Sequence, residues 1–303
     1  MMPFNVNYET PFLPPELILH IFENSAKDSL IACSSVSRSW RNMSLPYRFD
    51  DIVLHYEEAR DEDSMDEDSM EGQEPTVDSH RNQPARTRKD LSSFLDFLRI
   101  TPDAASAIRA LTIDRTSQKL RRYGFTTDPL VLLEILGTLP NLHHLTLSNI
   151  FLRNWRAEPV TNVRLDSLTI RYPGCHAGGA GEIETTELLE MLTIFRTVKT
   201  LNLEQFTFAS TPDILPFPQW LTTSTVNLRR VWAISPFMES LRQGDTLRGT
   251  NWEGLQDFHI MDLQRHDLLE MNWCLEAIGY NLVHFGCFLP FEIRSRACLA
   301  PTV

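Results

Sequence analysis

A short pattern, apolar-x-x-apolar-x-apolar, recurs seven times along the C-terminal two thirds of the chain. It reads IRALTID at 108–114, LHHLTLS at 142–148, LDSLTIR at 165–171, VKTLNLE at 198–204, LRRVWAI at 228–234, LQDFHIM at 255–261 and LVHFGCF at 282–288. The central apolar residues, Leu111, Leu145, Leu168, Leu201, Val231, Phe258 and Phe285, are separated by 34, 23, 33, 30, 27 and 27 residues. Alternation at the end of each copy predicts a short strand, and the intervals leave room for one helix per unit. Helical periodicity falls between several copies: Leu91, Phe94, Leu95 and Leu98; Leu130, Leu133 and Leu136; Leu188, Leu189, Leu192 and Phe195; Leu268, Leu269 and Trp273. The expected fold class is α/β.

The repeated L-x-x-L-x-L core resembles a leucine-rich-repeat solenoid of irregular, long-repeat type. The resemblance implies parallel strands with helices on the outer face, stacked because one unit cannot bury its apolar face alone. It departs from well-formed repeats in lacking the usual Asn or Cys after most strands, and in carrying Val231, Trp232, Ala233, Phe258 and Phe285 where leucine is common. A doubly wound parallel sheet competes with it, but no Gly-rich phosphate turn follows any strand. The x positions point away from the core and line the concave side. They are polar in the first half (Thr112, Asp114, His144, Ser148, Arg171, Glu204) and richer in aromatic and apolar groups in the second (Arg230, Trp232, Ile234, His259, Met261, Phe288). Because Trp, Arg and Met mark interface cores, Arg230, Trp232, His259, Met261 and Phe288 are the expected substrate contacts. Two other readings stay open: the tail from Leu289 covers them, or the repeat phase is off by one.

The N-terminal stretch FLPPELILHIFENSAKDSLIACSSVSRSWRNM, residues 12–43, has too many apolar groups for a loop. Pro15 suits the first position of a helix, where its missing N–H would be unpaired in any case. Leu17 and Ile21 then share one face, and Ile18 and Phe22 an adjacent one. Asp28 is the expected N-cap of a second helix carrying Leu30, Cys33 and Val36, with Trp40 at a further helical step. Helices this short are marginal alone, and about 40 residues without disulfide or metal need something to pack against.

Leu13-Pro14-Pro15-Glu16-Leu17, Ile21-Phe22, Asp28-x-Leu30, Val36-x-Arg38 and Trp40-Arg41 resemble the F-box motif, in a variant with Cys33-Ser34 and Arg38-Ser39-Trp40 similar to F-box proteins abundant in fungi. It departs at Glu23-Asn24-Ser25-Ala26, where a leucine is common. The resemblance implies a three-helix domain and a partner, the small Skp-type adaptor that joins F-box proteins to a cullin scaffold in a ubiquitin ligase. Leu13, Pro14, Leu17, Ile21 and Phe22 would face that adaptor, with Leu30, Val36 and Trp40 binding the helices together or touching it. The competing reading packs these residues wholly against the first repeat, through Ile52, Val53 and Leu54.

Charge separates a third zone. Residues 57–74 hold ten carboxylates and one arginine, a local charge of −9 out of the chain's −12. From Glu57 to Asp90 there is no Phe, Trp, Tyr, Leu or Ile, so the tract cannot bury enough surface to offset its ordering entropy and is expected to be a disordered loop. It is either a solvated insertion or an acidic recognition or phosphorylation tract, with Ser64 three residues before Glu67. The expected organisation is a leader at 1–10, an F-box domain at 11–50, a linker at 51–90 containing the acidic loop 57–90, and a repeat domain at 91–303. An acidic balance gives no basic footprint for nucleic acid, despite Arg81, Arg86, Arg88 and Lys89. No run of about 18 apolar residues suggests a membrane span, and no signal sequence opens the chain, so an intracellular place, cytoplasmic or nuclear, is expected. The five cysteines form no C-x-x-C pair and are expected to be reduced and metal-free.

Catalytic signatures are lacking. Tyr172 to Gly181 is Gly-rich without the Lys-Ser/Thr ending of a phosphate loop. His143 and His144 fall on opposite faces of a strand, and Cys175-His176 has no evident neighbouring base. The expected function is therefore non-catalytic, with no cofactor: a substrate adaptor of a Skp-cullin-F-box ligase, or alternatively a repeat scaffold without ligase activity. Deleting residues 57–90 is expected to leave the thermal midpoint nearly unchanged; a fall of more than about 5 °C in a melting curve would show that the tract packs on the fold.

Overall fold

The computed structural model of the chain describes residues 13–56, 91–115, 129–150, 163–172, 181–209, 221–248, 254–261, 268–279 and 281–288. The acidic tract 57–90, Cys175, His176 and the tail from Leu289 lie outside the described residues. Three short helices come first: α1 (Pro15–Glu23), α2 (Lys27–Val36) and α3 (Arg38–Phe49). Pro15 opens α1 as expected. Ala26 occupies the N-cap of α2, so Asp28 is not the cap; it sits in the first turn, where its charge still complements the helix dipole. Ser37 caps α3 by accepting the Trp40 backbone N–H at 3.1 Å.

Ile18, Phe22 and Leu30 form a small core with Cys33, Trp40, Met43 and Tyr47 around it. The Phe22 ring meets Trp40 edge-on at 5.5 Å and Tyr47 at 6.4 Å. Ser34 is buried and ties α2 to α3, accepting from Arg48 Nη1 at 2.9 Å while its carbonyl accepts from Arg41 Nε at 3.3 Å.

Alternating β and α elements follow: β1 (Asp51–Tyr56), α4 (Leu91–Ile100), α5 (Pro102–Ala107), β2 (Ala110–Arg115), α6 (Pro129–Thr138), β3 (His144–Ser148), β4 (Val163–Arg171) and β5 (Gly181–Glu184). The series continues through α7 (Thr185–Leu192), β6 (Phe195–Ala209), β7 (Thr225–Trp232), α8 (Ser235–Arg248), β8 (Asp257–Met261), α9 (Leu268–Ile278) and β9 (His284–Phe288). The strands form one parallel sheet in the order β1-β2-β3-β4-β6-β7-β8-β9, with β5 paired to the far end of β6. Such a sheet, wound in sequence order with helices between strands, is compatible with a solenoid. Residues 51–56 belong to this sheet as its first strand instead of opening a linker, because Ile52 and Leu54, two apart, supply a core-facing side while Val53 between them faces outward.

Register explains the core. Leu111, Leu145, Leu168, Leu201, Val226 and Phe258 form one column across successive strands and are buried. Ile113, Leu147, Ile170, Leu203, Leu228 and Ile260 form a second. Leu95, Leu132, Ile135, Leu188, Leu192 and Leu241, from the helices, join the same cluster, so among the described residues helices cover this face and leave the other open. The α6 stripe expected at Leu130, Leu133 and Leu136 is shifted: Leu132, Ile135 and Leu136 are buried and Leu130 is exposed.

The fifth copy of the pattern also shifts. Its central residue is Val226, paired with Leu201 and Phe258, and Val231 lies beyond that part of the strand, opposite Phe206. The first position of the true copy is Thr223, a buried residue whose hydroxyl donates to the carbonyls of Lys199 (3.4 Å) and Thr225 (3.3 Å). A polar residue thus occupies an apolar slot at little cost, since its donor is satisfied.

The helical module joins the sheet without a spacer. Asp50 ends α3, and its carbonyl accepts the backbone N–H groups of Arg109 (2.9 Å) and Ala110 (2.8 Å). Lys27 Nζ donates to the Asp51 carbonyl at 2.7 Å, and the Phe49 ring lies 6.0 Å from that of Phe97. Further along, Tyr172 is fully enclosed, its hydroxyl donating to the Ile150 carbonyl; burial, with Glu187 adding to it, pushes its pKa above the ordinary phenol value. Leu168→Ala is expected to cost about 2–5 kcal/mol in urea unfolding. Val53→Ala, on the open face, is expected to stay within about 0.5 kcal/mol, and equal effects would contradict the assignment of faces.

Candidate functional site

Two surfaces carry groups that the fold does not use. On α1 the apolar residues divide by position. Ile18 and Phe22, four apart, point into the small core, whereas Leu17 and Ile21, one step round the helix, stand outward and are 51% and 49% exposed. Leu13, four residues before Leu17, extends the same outward stripe and is also exposed, next to exposed Pro14. On α2, Val36 is exposed, and so is Ile31. The residues are therefore not packed wholly against the first repeat.

The expected adaptor-facing set is modified at one position. Phe22 is 1% exposed and forms the centre of the helical core, because its ring is what Trp40 and Tyr47 close over. Leu30 is likewise internal, and Trp40 is half-buried between the core and the surface. Leu19 and Ile31 are outward and exposed as well, although they fall off the four-residue stripe that defines the expected set.

The second surface is the open face of the sheet. Thr169, Asn202, Asn227 and His259 form one outward row on adjacent strands, and Arg171, Glu204, Arg229, Met261 and Phe288 form the next. Asn227 Nδ2 donates to Asn202 Oδ1 at 2.7 Å, and Asn202 Nδ2 to Thr169 Oγ1 at 3.1 Å, which locks these amides side by side. His259 lies across Gly286: a Cβ added there would come 2.5 Å from His259 Nδ1, so only glycine leaves room for the ring.

The five expected substrate contacts are thereby split. His259, Met261 and Phe288 lie together on the open face. Arg230 and Trp232 do not join them, because Arg230 takes a left-handed backbone (φ 53°) at the same register as Gln205 (φ 61°), and both strands turn there. Trp232 pairs with Thr207 beyond that turn. Ile234 and Ser148, both expected on the concave side, are buried. Thr225 and Asn227 take the places expected for Arg230 and Trp232, and Arg229 takes that of Ile234.

Charged groups also bridge strands near the start of the sheet. His143 Nδ1 lies 3.0 Å from Asp166 Oδ2 and Lys199 Nζ 2.5 Å from Asp166 Oδ1. The Lys199 ammonium holds the Asp166 carboxyl below its usual pKa, with His143 adding to the effect. His144 turns instead to Ser167 Oγ at 2.9 Å, so the two imidazoles serve different partners. Among the described residues no group of three or more His, Cys, Asp or Glu side chains could hold a metal ion, and no helix is long and apolar enough to cross a membrane.

Comparison with known proteins bears on the first surface. No curated protein matches the chain. The F-box-like family matches residues 10–48, a span that takes in α1, α2 and most of α3. The N-terminal helical module is an F-box-like domain.

Proposed function

We propose that the chain is a substrate-recognition subunit of a Skp-cullin-F-box ubiquitin ligase, acting inside the cell, in the cytoplasm or nucleus. F-box domains bind Skp-type adaptors generally, and the match over residues 10–48 supports that role for this chain's helical module. The observation that carries the reading is the division of α1: Ile18 and Phe22 suffice to hold the module, while Leu13, Leu17 and Ile21 are left outward with no function in the fold. A stable interface buries about 800 Å² per partner, which the outward residues of α1 and α2 would seed as its apolar centre.

In this reading Leu13, Pro14, Leu17, Ile21 and Val36 meet the adaptor, Phe22, Leu30 and Trp40 hold the surface in shape, and the repeat-like sheet presents a substrate protein. The chain itself performs no bond chemistry. The cullin is reached only through the adaptor.

Leu17→Asp combined with Ile21→Asp is expected to reduce binding of a purified Skp-type adaptor at least about 100-fold, as loss of two central anchors does. The melting temperature should stay within about 2 °C, since neither side chain packs in the core. Phe22→Asp, by contrast, should unfold the module. Unchanged adaptor binding by the double variant would overturn the proposal. Recovery of the adaptor without a cullin would favour a repeat scaffold lacking ligase activity.

A further inference from the structure

The open face supplies a more specific statement about the substrate, one that rests on the proposed function. Arg171, Glu204 and Arg229 are neighbours on successive strands, about 4.8 Å apart. Among the described residues, neither arginine makes an ion pair within 4.0 Å, and Arg171 Nε is enclosed with no hydrogen-bond partner. Two cations without a direct ion-pair contact therefore flank Glu204 on a face whose adjoining row holds neutral Thr and Asn.

Next to Arg229 in the same row come Met261 and Phe288, 41% and 52% exposed. Unlike the apolar residues that fill the core columns, they point away from the helices. An exposed Met and Phe beside an unpaired Arg is the composition of an interaction centre, and here it is backed by a rigid floor: the His259 ring seated over Gly286 and the hydrogen-bonded amides of Asn202 and Asn227.

We infer that this patch takes an extended segment of the substrate protein with an acidic side chain two residues from a large apolar one. The spacing follows from geometry. Arg229 lies one strand from Met261 and two from Phe288, so the middle of the apolar pair is roughly 7 Å from the arginine. Residues i and i+2 of an extended chain face the same way at about that separation. A carboxylate over Arg229 therefore sets the apolar group between Met261 and Phe288. On the other side Glu204 and Arg171 stand on adjacent strands with opposite charges, so no net charge there favours a second acid. Asn202 and Asn227, their side chains already fixed, offer their remaining amide groups to the backbone of the segment.

The test uses the full chain and two fluorescent dodecapeptide pools, one centred on Asp-x-Leu in either direction and the other on Lys-x-Leu in either direction, with flanks of Ser, Gly and Thr. Fluorescence anisotropy should show at least about tenfold tighter binding of the Asp-x-Leu pool. Arg229→Glu should reverse the order, and Phe288→Ser should weaken the Asp-x-Leu pool without changing the circular dichroism spectrum. Equal binding of the pools, no binding of either, or an order that survives Arg229→Glu would overturn the inference. Adaptor binding, measured on the same variants, should stay as in the parent chain; its absence alongside an intact peptide preference would remove the ligase reading and leave the peptide site standing.

Discussion

Stacking governs the molecule. A strand bearing apolar side chains at alternate positions, followed by one helix, has too little surface of its own to stay folded, so every unit depends on the columns its neighbours extend. The columns through Leu145, Leu168 and Leu201 are closed because a strand lies on each side and a helix above. The same rule describes the two ends. At the first, Ile52 and Leu54 of β1 are partly buried beside Phe49, the last residue of α3. At the other, Phe285 continues the column of Phe258 but is 41% exposed, where Phe258 is closed off completely. Polarity of the open face is a corollary: a side chain there is free to be chosen for recognition, since it adds nothing to the column.

The helical module solves a different problem. It has one small cluster to hold three helices, and α1 divides its apolar residues between that cluster and the surface. Aromatic edges around Phe22 concentrate the cohesion in few residues, which is how a segment this short spares Leu17 and Ile21. Cohesion also comes from polar groups, with Ser34 and Arg48 bonding α2 to α3.

Much of this is legible in the residues alone, and the exceptions have physical causes. The apolar triplets locate six of the strands, because parallel strands buried by helices need the same inward positions each time. At β7 the pattern misleads. Leu228, Val231 and Ala233 satisfy the spacing by coincidence, while the true copy begins with Thr223, whose hydroxyl is hidden by two backbone carbonyls. That five-residue slip assigns to Arg230 and Trp232 the outward positions that Thr225 and Asn227 hold. Phe22 was misplaced for a subtler reason: i, i+4 spacing shows that Ile18 and Phe22 share a face and that Leu17 and Ile21 share another, but both faces are equally apolar, and only the positions of Trp40 and Tyr47 decide which is inside. An N-cap at Asp28 fails because Ala26 already has the extended backbone that starts the helix.

The direct passage from α3 through Asp50 into β1 makes the strand count a ruler. With no hinge residues between the module and the sheet, and with Asp50 bonded to the first two residues of the next unit, the two surfaces cannot swing apart without breaking the first strand pair. Met261 lies on β8, six strand steps from β1, or roughly 29 Å along the sheet, and each strand inserted or deleted between them would lengthen or shorten that reach by about 4.8 Å. The far strands are thus held at a set span and bearing from the outward stripe of α1.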